Sequence, residues 1–333
     1  MKYQEIINKI NEGEYLSKEE VGCIVNKIKN KKFNDFEFIS LLVTLQKRNE
    51  TKGSSVLENL EFIKAFKKGF DSSLKNLFCN SGTGGDKIKT INISTLASII
   101  IASAGVQVLK NGSMGTTGRM GAKEALECLG IDPLKELDQV IKEVKKVGIG
   151  YHDFSKLVPI KARTGTRTIF NLLGPLCNPA NLKYKLLGCL NKEEIKIFEY
   201  ILKETCKNYM ITYNTSMDEI SLSEPTLIIE KRNGVRKEYL FDPEKEGLKK
   251  INYEEIKAKE RKKETKQLLL NILKGKSCAA TEIVCLNAGA GLYLTSKANS
   301  IKEGYALAKK LVLKGDAIRK LNEWKEAQNE CSI

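Results

Sequence analysis

The chain carries one histidine in 333 residues, and none of its nine cysteines falls in a CxxC pair. Scattered thiols, several inside apolar runs (Cys23, Cys128, Cys189, Cys285), read as reduced core residues rather than disulfide or zinc sites. No apolar run is long enough to span a membrane, and Met1-Lys2-Tyr3-Gln4-Glu5 opens no signal-peptide core. A cytoplasmic protein without a membrane partner is therefore expected. Internal repeats, low-complexity linkers and a long disordered tail are missing too. The glycine-dense stretch SGTGGDKIKTINIS at 81–94 lacks the Gly-Lys-Ser/Thr ending of a P-loop, and its glycines are too close for a dinucleotide fingerprint.

What remains is ordinary globular composition, 41% apolar and 29% charged, with length enough for one large domain and a small one. The net charge of +15 arises from 56 basic against 41 acidic side chains. Such a field can gather nucleic acid or steer a small polyanion into a cleft. Much of the excess is diluted by acids, as in EEIKAKERKKETK at 254–266, which reads as a solvated helix face. The aromatics, 7% of the chain, are not interleaved with the basic residues, so no nucleic-acid partner is expected.

The first seventy residues read as helices. Ser17 and Glu20 form a capping box ahead of Val21, Ile24, Val25 and Ile28. A second helix from Asn34 carries Phe38, Leu41, Leu42 and Leu45, and a third carries Leu57, Leu60 and Phe66. Strands and helices then alternate. Strands are expected at 77–79, 105–109, 184–190 and 208–213, and an antiparallel ribbon at 225–231 and 238–241. Helices return from Thr265 to Trp324. The fold class is α/β: a small helical N-terminal domain and a larger domain whose mostly parallel sheet is flanked by helices.

Four segments carry chemistry. Gly82, Thr83, Gly84, Gly85 and Asp86 follow a buried strand and lead, through Asn92, Ser94 and Thr95, into an apolar helix. Backbone N–H groups in such a turn can close on phosphate, aided by the helix dipole. Lys110 lies at the carboxyl end of the 105–109 strand, where α/β sheets bind ligands, and the loop 115–122 enters another helix as a second anion cradle. Asp218 and Glu219 stand just past the strand ending at Tyr213, a pair suited to Mg²⁺ held through oxygen. His152 falls on a loop shortly before RTGTRTIFNLLGPLCNP at 163–179.

GTGGD, NIST, the lysine–glycine loop, RTIFNLLGPLCNPA, MDEIS and LNAGAGLYL, in this order and spacing, resemble the anthranilate phosphoribosyltransferases almost end to end. The resemblance implies a helical domain at 1–70, rejoined by about 163–182, and an α/β domain at 71–162 and 183–333. It also implies a homodimer through the helical part. Gly82, Thr83, Gly84, Gly85, Asp86, Thr90, Asn92, Ser94, Thr95, Lys110 and Ala122 would hold phosphoribosyl pyrophosphate. Ser94, Asp218 and Glu219 would hold Mg²⁺. Gly82, Asn111, Ser113, His152, Lys161 and Arg163 would meet the acceptor between the domains. No residue is assigned as a chemical acid or base; an aromatic amine is neutral at pH 7, and positioning with metal suffices.

The departures from the family pattern cluster at the acceptor. The lysine-histidine-glycine-asparagine run is here Lys110-Asn111-Gly112-Ser113, and Met120 and Ala122 replace hydroxyls. The chain is shorter after Gly148, the usual histidine-proline is His152-Asp153, and the acceptor arginine falls at Lys161 or Arg163. The acceptor is thus anthranilate, or in a divergent paralogue a different aromatic amine or acid. A pyrimidine nucleoside phosphorylase of the same fold would not need Asp218 and Glu219. A nucleic-acid-binding relative would be expected to have lost the loop or the carboxylates.

Overall fold

A computed structural model of the chain describes residues 3–67, 73–84, 88, 90–112, 120–154, 168–259 and 261–330. They pack as two units, Met1–Asp71 with Phe154–Pro179, and Ser72–Asp153 with Ala180–Ile333. The segment rejoining the first unit begins at Phe154, ahead of the expected 163. The Phe154 ring meets Phe66 edge to face (5.7 Å between centroids) and Phe170 at a tilt (6.0 Å), which gives that return an apolar reason.

The first unit is helical: α1 (Tyr3–Asn11), α2 (Lys18–Lys29), α3 (Asp35–Lys52), α4 (Val56–Lys67) and the short α8 (Ile169–Leu173). Two capping boxes set its register. Ser17 and Glu20 satisfy each other's backbone N–H groups at the start of α2, and Asn34 and Glu37 do the same for α3. Val21, Ile24, Val25 and Ile28 are buried along α2, and Phe38, Leu41, Leu42 and Leu45 along α3. In α4 Leu60 and Phe66 are buried as expected, but Leu57 is 64% exposed while its neighbour Glu58 is buried. The Glu58 carboxylate accepts the Leu16 N–H (2.9 Å) and Arg48 Nη1 (2.9 Å), and also pairs with Arg48 Nη2. That buried ion pair fixes which side of α4 faces inward.

The second unit is built on seven strands: β1 (Phe78–Gly82), β2 (Val108–Gly112), β3 (Ile149–Asp153), β4 (Tyr184–Cys189), β5 (Asn208–Tyr213), β6 (Thr226–Arg232) and β7 (Val235–Phe241). Their order across the sheet is β3-β2-β1-β4-β5-β6-β7. The first five are parallel, and β6 and β7 add an antiparallel ribbon. From β1 the chain builds outward to β2 and β3 on one side, and from β4 to β5 on the other. Such a reversal opens a crevice at the carboxyl ends of the central strands.

Several strands differ from their expected bounds; β1 extends through Gly82, a residue expected in the turn, and β7 begins at Val235. β2 runs from Val108 to Gly112, so Lys110 and Asn111 lie within the strand rather than beyond it. β3, which periodicity did not announce, contains His152, so that histidine is not on a loop. Gly150 explains the missing signal: an added Cβ would sit 2.8 Å from Val140 and Val144, so helix packing demands glycine inside this strand.

Around the sheet lie α5 (Ile93–Ser103), α6 (Ala122–Leu129), α7 (Leu137–Val147), α9 (Glu194–Thr205), α10 (Lys262–Leu273), α11 (Ala279–Leu294), α12 (Ile301–Leu313) and α13 (Asp316–Glu330). α5 and α11 are apolar on nearly every side and correspondingly buried. The charged stretch 254–266 is a short 3-10 turn at Tyr253–Ile256 followed by the start of α10, not one helix. α13 is tied to α7 through Glu143, whose carboxylate accepts Trp324 Nε1 (2.8 Å) and Gln328 Nε2 (3.2 Å). No helix among the described residues is long and apolar enough to cross a membrane.

Candidate active site

Strand β1 forms the central wall of the site, and its residues alternate between two faces. Asn80 turns toward α5: its Nδ2 donates to Ser94 O (2.8 Å) and its Oδ1 accepts from Ser98 Oγ (2.5 Å). Lys110, from β2, reaches the same side and donates to Asn80 O and Ser94 Oγ, both at 3.1 Å. On the other face, Lys185 of β4 donates to Ser81 Oγ (2.6 Å) and to Cys79 Sγ (3.4 Å), and Cys79 donates to Asn111 Oδ1 (3.1 Å). Both lysines are almost wholly buried. Burial holds the Lys110 ammonium down at about 8; Lys185 works in the same direction, while Cys79, Glu219 and Asp218 oppose it.

The loop after β1 is shaped by Asp218. Thr83 N–H donates to Gly188 O (3.0 Å), and Gly84 N–H donates to Asp218 Oδ2 (2.7 Å). A Cβ on Gly82 would overlap the Asp218 carboxylate, and one on Gly188 would overlap its backbone carbonyl. Gly84 takes a φ of +66°, so the turn needs glycine for conformation as well as for space. Gly85 and Asp86 lie outside the described residues. Thr90 is buried where the chain bridges to Lys257.

Two helix starts meet beside this loop. Asn92 caps α5 by accepting Thr95 N–H (3.0 Å), while its Nδ2 donates to Met120 O (3.2 Å) just before α6. One side chain therefore links the start of α5 to the residue just ahead of α6. Thr95 is buried in the first turn of α5. α6 begins at Ala122 after Gly121, which offers no side-chain cap and leaves the first N–H groups without a partner from that residue.

Asp218 and Glu219 are held in the β5–β6 connection by two asparagines that the sequence reading did not single out. Asn214 Oδ1 accepts Ser216 N–H (3.1 Å) and Met217 N–H (2.9 Å), and its Nδ2 donates to Glu219 O (2.7 Å). Asn287, on α11, donates to and accepts from the Ile220 backbone, each at 2.9 Å. The only signal in the sequence for Asn287 is an amide inside the otherwise apolar helix run LNAGAGLYL. Asn80, Ser81, Ser94, Gly188, Asp218 and Glu219 line one cleft at the strand ends. Its donors are oxygens, which fits a hard divalent cation such as Mg²⁺, with substrate oxygens completing the shell. Among the described residues, no three of His, Cys, Asp or Glu cluster to hold an ion unaided.

Of the residues assigned to the acceptor, Asn111 and His152 stand opposite each other in register on β2 and β3. Alternation puts both on the Cys79 face of the sheet, whereas Lys110 and Tyr151 share the α5 face. Thr90, Ala122, Asn111 and His152 do not line the carboxylate cleft. Ser113, Lys161 and Arg163 lie outside the described residues.

A cleft carrying two carboxylates at a sheet switch point, beside the linked starts of α5 and α6, is a place where α/β enzymes bind phosphorylated ligands. Residues 74–318 match the glycosyl transferase family, a/b domain. The anthranilate phosphoribosyltransferase of Polynucleobacter necessarius is 34% identical over 329 residues, covering 96% of each chain. That of Thermoanaerobacter sp. is 34% identical over 340 residues, covering 98% of each. The crystal structure of the Thermus thermophilus enzyme superposes with a TM-score of 0.84 at 28% identity, over 97% of this chain and 99% of that one. The Saccharomyces cerevisiae enzyme, in complex with PRPP and Mg, shares the fold with a TM-score of 0.82 at 21% identity, over 98% of both chains. The chain belongs to the anthranilate phosphoribosyltransferase family and is a phosphoribosyltransferase.

Proposed function

We propose that the enzyme transfers the phosphoribosyl group of phosphoribosyl pyrophosphate to the amine of anthranilate, releasing pyrophosphate in a step of tryptophan biosynthesis. The observation that carries this reading is the convergence of Asp218 on Gly82 and Gly84, which brings a carboxylate and a phosphate-type loop to one point. Gly82, Thr83, Gly84, Gly85 and Asp86, with Thr90, Asn92, Ser94, Thr95, Lys110 and Ala122, are the proposed donor-binding set. Asp218, Glu219 and Ser94 would hold Mg²⁺, which when bound neutralises pyrophosphate charge as the leaving group departs. The chain's own part is to orient. Lys110 fixes the Ser94 hydroxyl, Asp218 fixes the Gly84 N–H, and the helix starts offer N–H groups to phosphate oxygens.

On the acceptor side, Gly82, Asn111, Ser113, His152, Lys161 and Arg163 are proposed to position the amine. The amide at Asn111 and the lysine at Lys161 keep a second reading open, in which the same donor reacts with another aromatic amine or acid. The enzyme is proposed to act in the cytoplasm as a homodimer through its helical unit. The test is pyrophosphate release from phosphoribosyl pyrophosphate and Mg²⁺, with and without anthranilate, followed alongside loss of anthranilate fluorescence. Both signals at enzymatic rates support the reading. Donor binding without either signal moves the assignment to a different acceptor.

A further inference from the structure

Tyr151 is in register with Lys110, and alternation along β3 sets it on the α5 face, away from His152. It is 2% exposed, and its hydroxyl has no hydrogen-bond partner among the described residues. A phenylalanine would fill the same apolar space without burying an unpaired hydroxyl, so the oxygen invites a function. Its position suggests one. A Cβ built on Gly112 would stand 3.4 Å from the Tyr151 hydroxyl, 3.2 Å from Cε2 and 2.8 Å from the Ala122 side chain. The phenol thus lies against the strand end at the point where α6 begins.

That helix start is itself unusual. Gly121 supplies no side-chain cap, and Lys123 places a cation in the first turn, where the helix dipole disfavours one unless an anion sits nearby. Glu124 follows in the same turn. Burial, and then the charges of Asp153, Glu124 and Glu127, push the phenol pKa far up, so it remains a protonated donor at any physiological pH.

We infer that Tyr151 is a further donor-binding residue, whose hydroxyl takes a phosphate oxygen of phosphoribosyl pyrophosphate where α6 begins. This rests on the proposed donor. The experiment compares wild type with Tyr151→Phe by calorimetric titration with phosphoribosyl pyrophosphate and Mg²⁺, together with melting of the unliganded proteins. Loss of one hydrogen bond to a charged group should weaken donor binding about 10-fold. The KM for anthranilate should not change, and the unliganded variant should melt no lower than wild type. Unchanged donor affinity with a raised melting temperature would make the hydroxyl a packing flaw and overturn the inference. A lowered melting temperature would reveal a partner within the fold and overturn it as well. Wild-type protein that binds neither phosphoribosyl pyrophosphate nor inorganic pyrophosphate removes the donor reading itself, a result distinct from a silent variant.

Discussion

Lys110 and Lys185 stand on the two strands that flank β1, and their ammonium groups are buried against opposite faces of it. Two cations are thus set into the wall behind a cleft that also holds Asp218 and Glu219. The wall is suited to a ligand bringing more negative charge than one metal ion can neutralise, as pyrophosphate does.

The first prediction concerns pH. The folded Lys110 pKa of about 8 lies below an unfolded value of about 10.4. The fold therefore favours the neutral amine, and the stability this group contributes is full above the unfolded value. It is lost as pH falls through the folded one. Chemical denaturation from pH 7.5 to 10.5 should show stability rising in wild type, with a smaller slope in Lys110→Met. Donor affinity should run the other way and fall above pH 8, because only the ammonium form attracts phosphate.

Asp218→Asn combined with Glu219→Gln keeps the shapes but removes both charges. Mg²⁺-dependent pyrophosphate release should fall by roughly 100-fold or more, with an unchanged far-UV spectrum. Near-normal turnover in this double variant would remove the metal assignment.

Gly82→Ala places a methyl group where the Asp218 carboxylate lies. The variant should fold, because Gly82 ends an established strand, yet lose donor affinity as Asp218 is forced away from Gly84. Calorimetric titration with donor and Mg²⁺ checks this. Affinity equal to wild type would show that the loop tolerates a displaced carboxylate.

Arg48→Met strands the Glu58 carboxylate inside the helical unit. Breaking one side of a buried ion pair costs about 3–5 kcal/mol, a loss readable by urea denaturation at pH 7. Adding Glu58→Leu should recover much of it. A single variant as stable as wild type would refute the pair's role in fixing α4.

Much of this architecture was legible because its signals are local. The capping box at Ser17, the helix start at Asn34 and the apolar β4 and β5 each announce themselves within a few residues. β3 did not, since Gly150 and His152 break its apolar run for reasons that lie in α7 and β2. The face of α4 was misread at Leu57 because a distant partner, Arg48, decides it. In the site, the glycine loop and the acidic pair stood out by composition. Lys185, Asn214 and Asn287 did not, since nothing near them in sequence shows that they hold Ser81, Glu219 and Ile220 in place.

The clasp on Glu143 has a consequence for the order of synthesis. Its hydrogen-bond donors, Trp324 and Gln328, lie 181 and 185 residues further along the chain. Until they have left the ribosome, α7 presents a carboxyl group that burial would leave without these donors, and β3 packs against that helix unsecured. Lys110, Asn111 and Tyr151 belong to β2 and β3, the strands at that edge of the sheet. The packing of α7 beneath β3 is therefore completed only by the last helix of the chain.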